Sequence, residues 1–154
     1  MNVRNGWKAD TSYGKSTLVP QIKTTIVTLR FGGDDLDPLE LSKSLNATPT
    51  LARVKGVRWK TASGDRVAKT GQWHVKLEAE APDNFEKLVA RLFGLLIDER
   101  SVWLDLSQRF SGNLFVGLFM ESSNDGVSIK RKTLDAIASR GLELGFDIYS
   151  PTEE

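Results

Sequence analysis

Residues 72–80 alternate more regularly than any other stretch of the chain. Trp73, Val75, Leu77 and Ala79 fall on one side, and Gln72, His74, Lys76, Glu78 and Glu80 on the other. A period of two with one apolar side predicts a half-buried strand. Ile22 to Phe31 is rich in β-branched residues, with Val27, Leu29 and Phe31 on one side and Ile22 and Ile26 on the other. That pattern predicts a strand covered at least in part on both faces. Farther along, Val102, Leu104, Leu106 and Phe110, then Leu114, Val116, Leu118 and Met120, again recur at even spacing. They predict two strands joined as a hairpin around Ser111-Gly112-Asn113, with Trp103, Phe115 and Phe119 on the second face. Leu142, Leu144, Phe146 and Ile148 predict a closing strand, stopped by Pro151.

Helical spacing marks three segments. Asp37-Pro38-Leu39-Glu40 reads as N-cap, first helical position and capping-box acid, with Leu41 and Leu45 as the buried stripe and Asn46 as the stop. After Pro82, Phe85, Leu88, Val89, Leu92, Leu95 and Leu96 predict the longest helix. Leu134, Ile137 and Ala138 predict the last, ended by Gly141, with Arg140 suited to its negative end. Residues 47–70 are punctuated by Pro49, Gly56 and Gly64, and Val54 to Trp59 within them reads either as a short strand or as part of a long excursion. The expected fold is α+β: a mixed, mostly antiparallel sheet with about three helices, whose weakly similar halves admit a duplicated ferredoxin-like arrangement. Residues 1–20 read as a flexible arm, 21–150 as a single α+β domain and 151–154 as a C-terminal tail.

Composition narrows the function. The 154 residues are 40% hydrophobic and 27% charged, as in ordinary globular proteins, and the length suffices for a core without staples. The chain has no cysteine, which removes disulfides, thiolate metal sites and thiol nucleophiles. No apolar run reaches the roughly 18 residues that span a bilayer, and Met1 to Pro20 lacks the apolar stretch of a signal peptide. A cytoplasmic location without membrane contact is the expectation. The net charge is +1, so nucleic acid binding, if present, rests on a local patch rather than bulk charge.

Such a patch exists between residues 53 and 69. Arg53, Lys55, Arg58, Lys60, Arg66 and Lys69 stand there with only Asp65 opposing them and Trp59 among them. Cations with an aromatic on a glycine-punctuated loop can grip a phosphate backbone or an acidic protein. A solvated loop whose aliphatic stems cover apolar surface is the competing reading. A second group, Lys130, Arg131 and Lys132, opposes the dipole of the helix it precedes, which points either to an anion there or to a later helix start. Other constellations read as structural. Gly14-Lys15-Ser16 lacks the earlier glycine of a phosphate loop, since Ala9 stands there, and lacks the strand before it and helix after it. Asp34, Asp35, Asp37 and Glu40 do not have the spacing of a calcium loop, and capping accounts for two of them. The single histidine, His74, falls on a polar strand face with no triad partner at useful spacing. No catalytic residue, metal set or cofactor motif emerges.

Pro49, Gly56, then Lys69-Thr70-Gly71 followed by Trp73, resemble the signature of the bacterial domain of unknown function 4279. The helix start Asp35-Leu36-Asp37-Pro38 and the closing Leu144-Gly145-Phe146-Asp147-Ile148-Tyr149 fit it too, and the resemblance covers roughly residues 22–150. It implies a small bacterial cytoplasmic α+β protein without an assigned activity, so it carries no catalytic residue onto this chain. It marks Lys69, Thr70, Gly71 and Trp73 as a shared feature, with Gly71 permitting a tight entry into the strand and Trp73 as its buried anchor. The leading functional expectation is a non-catalytic binding or interaction module, of the kind that neutralises a protein partner. The alternatives are a nucleic-acid or anionic-ligand binder through residues 53–69, and an enzyme with a carboxylate-lined pocket. An uncovered apolar sheet face leaves room for a homodimer.

Overall fold

The computed structural model describes residues 22–152, so the arm and its Gly-Lys-Ser segment lie outside the described residues. The long alternating segments become the sheet. β1 (Ile22–Gly33) pairs antiparallel with β5 (Gly71–Glu80) on one side and with β6 (Ser111–Met120) on the other. The short β2 (Leu51–Arg53) adds antiparallel to β5, and β7 (Glu143–Tyr149) adds parallel to β6. The order is β2-β5-β1-β6-β7. A separate two-stranded hairpin, β3 (Arg58–Thr61) and β4 (Gly64–Val67), is inserted between β2 and β5.

Four helices are described: α1 (Pro38–Leu45), α2 (Phe85–Gly94), α3 (Arg100–Arg109) and α4 (Arg131–Ala138). Their starts and stops follow side-chain chemistry. The Asp37 carboxylate accepts the Leu39 N–H at 2.9 Å, and Asn46 closes α1 in the left-handed region at φ 52°. Asn84 caps α2 by accepting the Lys87 N–H at 3.1 Å. Beyond α4, Gly141 turns the chain at φ 70°, and the Arg140 guanidinium donates to the Ala136 carbonyl at 2.8 Å. The predicted cation at the negative end of that helix is thus in place.

The chain is α+β with a mixed, mostly antiparallel sheet, as the pattern predicted. The sequence β1-α1-β2-β5, then helix, then β6, in the order β2-β5-β1-β6, is one ferredoxin-like βαββαβ unit. It is extended by α4 and β7 rather than repeated, so a duplicated arrangement does not form.

The strand expected over residues 102–110 is helix α3, and only 111–120 is a strand. Both periods are written in that segment. Val102, Leu104, Leu106 and Phe110 repeat by twos, but Trp103, Leu106 and Phe110 repeat by three and four. The second set is buried: Trp103 and Leu106 are 1% exposed, whereas Leu104 is 55% exposed. A strand would have put Trp103 on the side away from Leu106. The helix instead packs its indole against Phe31 and Phe93 and lets its N–H donate to the Ile97 carbonyl at 2.8 Å. Burial of the largest side chain decided the period.

All four helices cover the same side of the sheet. Phe31, Leu29 and Val27 of β1 face Trp73 and Val75 of β5 and Leu114 and Val116 of β6 across the strands. They share one core with Leu41 and Leu45 of α1, Phe85 and Leu92 of α2 and Ile137 of α4. Among the described residues, the opposite side of the sheet carries no helix.

Candidate functional site

The uncovered side is set by the same alternation. Arg30, Thr28 and Ile26 of β1 lie between Phe31, Leu29 and Val27 and so turn away from the core. Register then places Arg30 directly beside His74 of β5 and beside Asn113 of β6. Leu51 of β2 sits beside His74, and Arg53 beside Gln72. Lys76 and Phe115 flank Thr28. Four cationic or protonatable side chains, Arg30, Arg53, His74 and Lys76, therefore converge on one end of an open sheet.

The surface between them is hollowed. A trough of ≈ 450 Å³ includes Thr28, Arg30, His74, Lys76, Phe115 and Tyr149 in its lining, and an adjoining one of ≈ 210 Å³ shares Arg30 and His74 and adds Gln72 and Asn113. Two guanidiniums lie over aromatic rings. Arg30 lies 4.1 Å from the centre of Phe115 while its Nε–H donates to Asn113 at 2.9 Å. Arg53 lies 3.7 Å from the centre of Trp59. Such stacks fix a guanidinium's plane and leave its edge N–H groups for an acceptor. Among the described residues no carboxylate stands within ion-pair distance of Arg30, Arg53 or Lys76. Their field is felt locally: the pKa of His74 lies below its ordinary 6.5, first because the ring is partly buried and then because Arg30 and Arg53 are near. Of the acids on this face, Glu78, Glu80 and Asp147 lie toward its other end, where Tyr149 stacks on Phe119 at 4.5 Å, whereas Glu143 stands at the basic end beside Asn113.

The basic segment read from the sequence is divided by the structure. Arg53 belongs to the sheet face. Trp59 and Arg66 are partners across the β3–β4 hairpin and share one side of it, the side that Arg53 covers. Arg58 and Lys60 project from the hairpin's other side, both exposed. Lys55 leaves the group altogether, because it pairs with Asp34 at 2.5 Å and, with Thr70, holds that carboxyl below its ordinary range. Lys69 is exposed beside the buried Ala68.

The remaining clusters are occupied by the chain itself. Of the four acids near α1, Asp34 is paired with Lys55, Asp37 caps the helix, and Glu40 pairs with Arg109 at 2.8 Å. The start of α4 does meet an anion, Glu86 of α2, but through its backbone and a hydroxyl rather than through the cationic side chains. The Glu86 carboxylate accepts the Lys130 N–H at 2.5 Å and the Thr133 hydroxyl. That contact satisfies the helix start without an external ligand.

The Lys69-Thr70-Gly71-x-Trp73 segment is a packing joint. Trp73 is fully buried, and its indole N–H donates to the Ser42 hydroxyl of α1 at 2.9 Å. A β-carbon on Gly71 would stand 2.7 Å from the Gly33 carbonyl and 2.9 Å from Leu36, so the strand enters there only without a side chain. Gly56 turns at φ 87°, with its N–H donating to the Ala68 carbonyl at 2.8 Å. Pro49 is partly buried just ahead of β2. The family described as "Domain of unknown function (DUF4279)" matches residues 20–151. The chain belongs to that family. No curated protein and no solved structure matches it. In this DUF4279 chain the motif thus ties β5 to α1 and to the end of β1, and its Thr70 lines the smaller trough of the open face.

Arg30 is the site residue that no sequence motif marks. Its alternation with Leu29 and Phe31 does show that it leaves the core. Its company with Arg53 and His74 depends on β5 lying between β1 and β2, which spacing along the chain does not disclose.

Proposed function

We propose that this protein is a non-catalytic binding module that takes an anionic ligand on the open face of its sheet, with the Trp59–Arg66 side of the hairpin as an extension. The observation that carries the reading is the convergence of Arg30, Arg53, His74 and Lys76 on one uncovered, hollowed surface with two guanidiniums stacked on rings. Planar, unpaired guanidiniums suit phosphate and carboxylate oxygens. The open aromatic edges beside them suit a nucleobase. No side chain there is arranged as a nucleophile with its base.

The test is fluorescence anisotropy at low salt with two labelled probes, a 12-nucleotide single strand and polyglutamate. Binding of either that weakens with added salt supports the reading. The first outcome identifies a nucleic-acid ligand and the second an acidic protein, the partner-neutralising form of the same module. Arg30→Glu and Arg53→Glu are expected to weaken binding at least about tenfold each, the order seen when a charged contact is reversed. The Arg58→Glu/Lys60→Glu variant, on the far side of the hairpin, loses less than about threefold, because long-range attraction between exposed charges is screened. No binding of either probe by the unmodified protein, or equal losses in all three variants, ends the reading.

A further inference from the structure

The two edges of the sheet are unlike each other. β2 closes one edge with three residues and carries Arg53. β7 closes the other with seven residues, Glu143-Leu144-Gly145-Phe146-Asp147-Ile148-Tyr149, in unbroken register with β6. A sheet edge is a row of unpaired N–H and C=O groups, and proteins that remain single usually blunt it with lysine, proline, a bulge or a short strand. β7 is seven residues long with no lysine, proline or bulge, and its two charges, Glu143 and Asp147, both lie on the open face. Its side chains are only partly covered: Phe146, against Phe85, is 36% exposed, Tyr149, stacked on Phe119, 45%, and Ile148 63%. Ile148, a β-branched apolar residue next to last in this edge strand, is the most exposed of them.

We propose that β7 pairs antiparallel with β7 of a second copy, about a two-fold axis through Phe146, to give one continuous ten-stranded sheet. A closed two-fold that keeps the helices of both copies on one side requires antiparallel strands. Opposite residues must then belong to the same face, so the centre is one of the strand's own residues. Three centres pair more than three residues of each strand. With Gly145 at the centre, Asp147 lies opposite Glu143. With Asp147 at the centre, it lies opposite its own copy. Like charges directly opposite are unfavourable in a sheet. Phe146 alone avoids both conflicts: it meets Phe146, Leu144 meets Ile148, Gly145 meets Asp147 and Glu143 meets Tyr149. The strand therefore pairs with itself free of like-charge conflict in one register. The axis stands perpendicular to the sheet, which puts both open faces on the same side. The inference rests on β7 alone and holds whatever the open face binds.

The absence of cysteine from the sequence makes the register directly readable. Opposite residues in an antiparallel pair lie roughly 4.5–5.5 Å apart between Cα atoms, within the span a disulfide bridges. Single-cysteine variants Gly145→Cys, Phe146→Cys and Asp147→Cys of the full chain are oxidised under mild conditions and run on a denaturing gel. The expected result is a covalent dimer for Phe146→Cys at least tenfold more abundant than for the other two. Light scattering of the unmodified protein should give twice the 17.1 kDa chain mass. Ile148→Lys should give the single mass with an unchanged circular dichroism spectrum. A single mass for the unmodified protein at every concentration overturns the proposal, including the case where deleting residues 1–20 then produces a dimer, because the arm is then the occupant. Preferred crosslinking through residue 145 or 147, or a dimer that Ile148→Lys leaves intact, overturns it as well.

Discussion

His74 shows how much one residue's role depends on its neighbours across strands. Read along the chain it is a histidine on a polar strand face. In the sheet it stands between Arg30 and Arg53 and partly out of water, and its pKa falls below 6.5. The sign of the consequence is fixed by linkage. A base whose pKa is lower in the folded state than in the unfolded one binds more protons when unfolded. Its contribution to stability is whole above pH 6.5 and is lost as pH falls through the depressed value. His74→Gln should therefore remove part of the drop in melting temperature between pH 7.5 and pH 5, measured by thermal denaturation. An anion on the face acts in the opposite sense, because it offsets the two arginines and raises the histidine's pKa, so affinity should rise as pH falls through this window. Since the sequence holds one histidine, its ring signals in a proton NMR titration are unambiguous. They should shift to higher pH when the ligand is added. A titration midpoint at or above 6.5 without ligand contradicts the placement. The position of Arg30 carries the same lesson: its orientation was legible in the alternation, but its partners were not, because adjacency in a sheet is a matter of strand order.

At the scale of elements, what was legible was whatever one period described without competition. β5 and α2 each have a single clean pattern, and both formed where expected. Caps were legible for a similar reason, since Asp37 acts within its own turn and needs no tertiary information. Residues 100–110 carry two patterns at once, and the choice between them lay in contacts with Phe31 and Phe93, far away in sequence. The two patterns make different predictions for a pair of leucines. A strand would bury Leu104 and Leu106 together, whereas α3 exposes the first and buries the second. Leu104→Lys should change stability by no more than about 0.5 kcal/mol, as exposed substitutions usually do. Leu106→Ala should cost about 2–5 kcal/mol through the cavity it leaves. Urea denaturation of both variants distinguishes the cases, and similar large losses in both would restore the strand. The sequence left the start of α4 open between an anion site and a helix beginning at Thr133; the helix begins at Arg131, and a carboxylate satisfies its backbone. That carboxylate, Glu86, lies 44 residues from Lys130, beyond any local signal.

The whole molecule is organised by a separation between the helix-covered side, which holds the core, and the open side, which holds the charge. A net charge of +1 hides this, because the acids that balance the basic face are spent elsewhere: Asp34 on Lys55, Glu40 and Asp105 on Arg109, Asp98 on Arg140. The described hydrophobic core is one cluster drawing residues from β1, α1, β5, α2, α3, β6 and α4. No part of that set buries enough apolar surface to stand by itself, so these elements should be lost together. The β3–β4 hairpin is different. Its strands show a run of exposed positions with only Trp59 partly covered, and an isolated two-stranded hairpin is marginal in water. It is held instead by Ala68, which is buried at its base, and by the Arg53–Trp59 stack. Native-state hydrogen exchange should divide the backbone accordingly. Amides of β1, β5 and β6 should exchange through global unfolding, at a free energy matching the urea transition, while those of Lys60 and Arg66 exchange by local opening at least a hundredfold faster. Addition of an anionic ligand should slow the hairpin amides selectively if Trp59 and Arg66 belong to the binding surface. Two exchange classes within the sheet itself would instead show two interiors where the packing describes one.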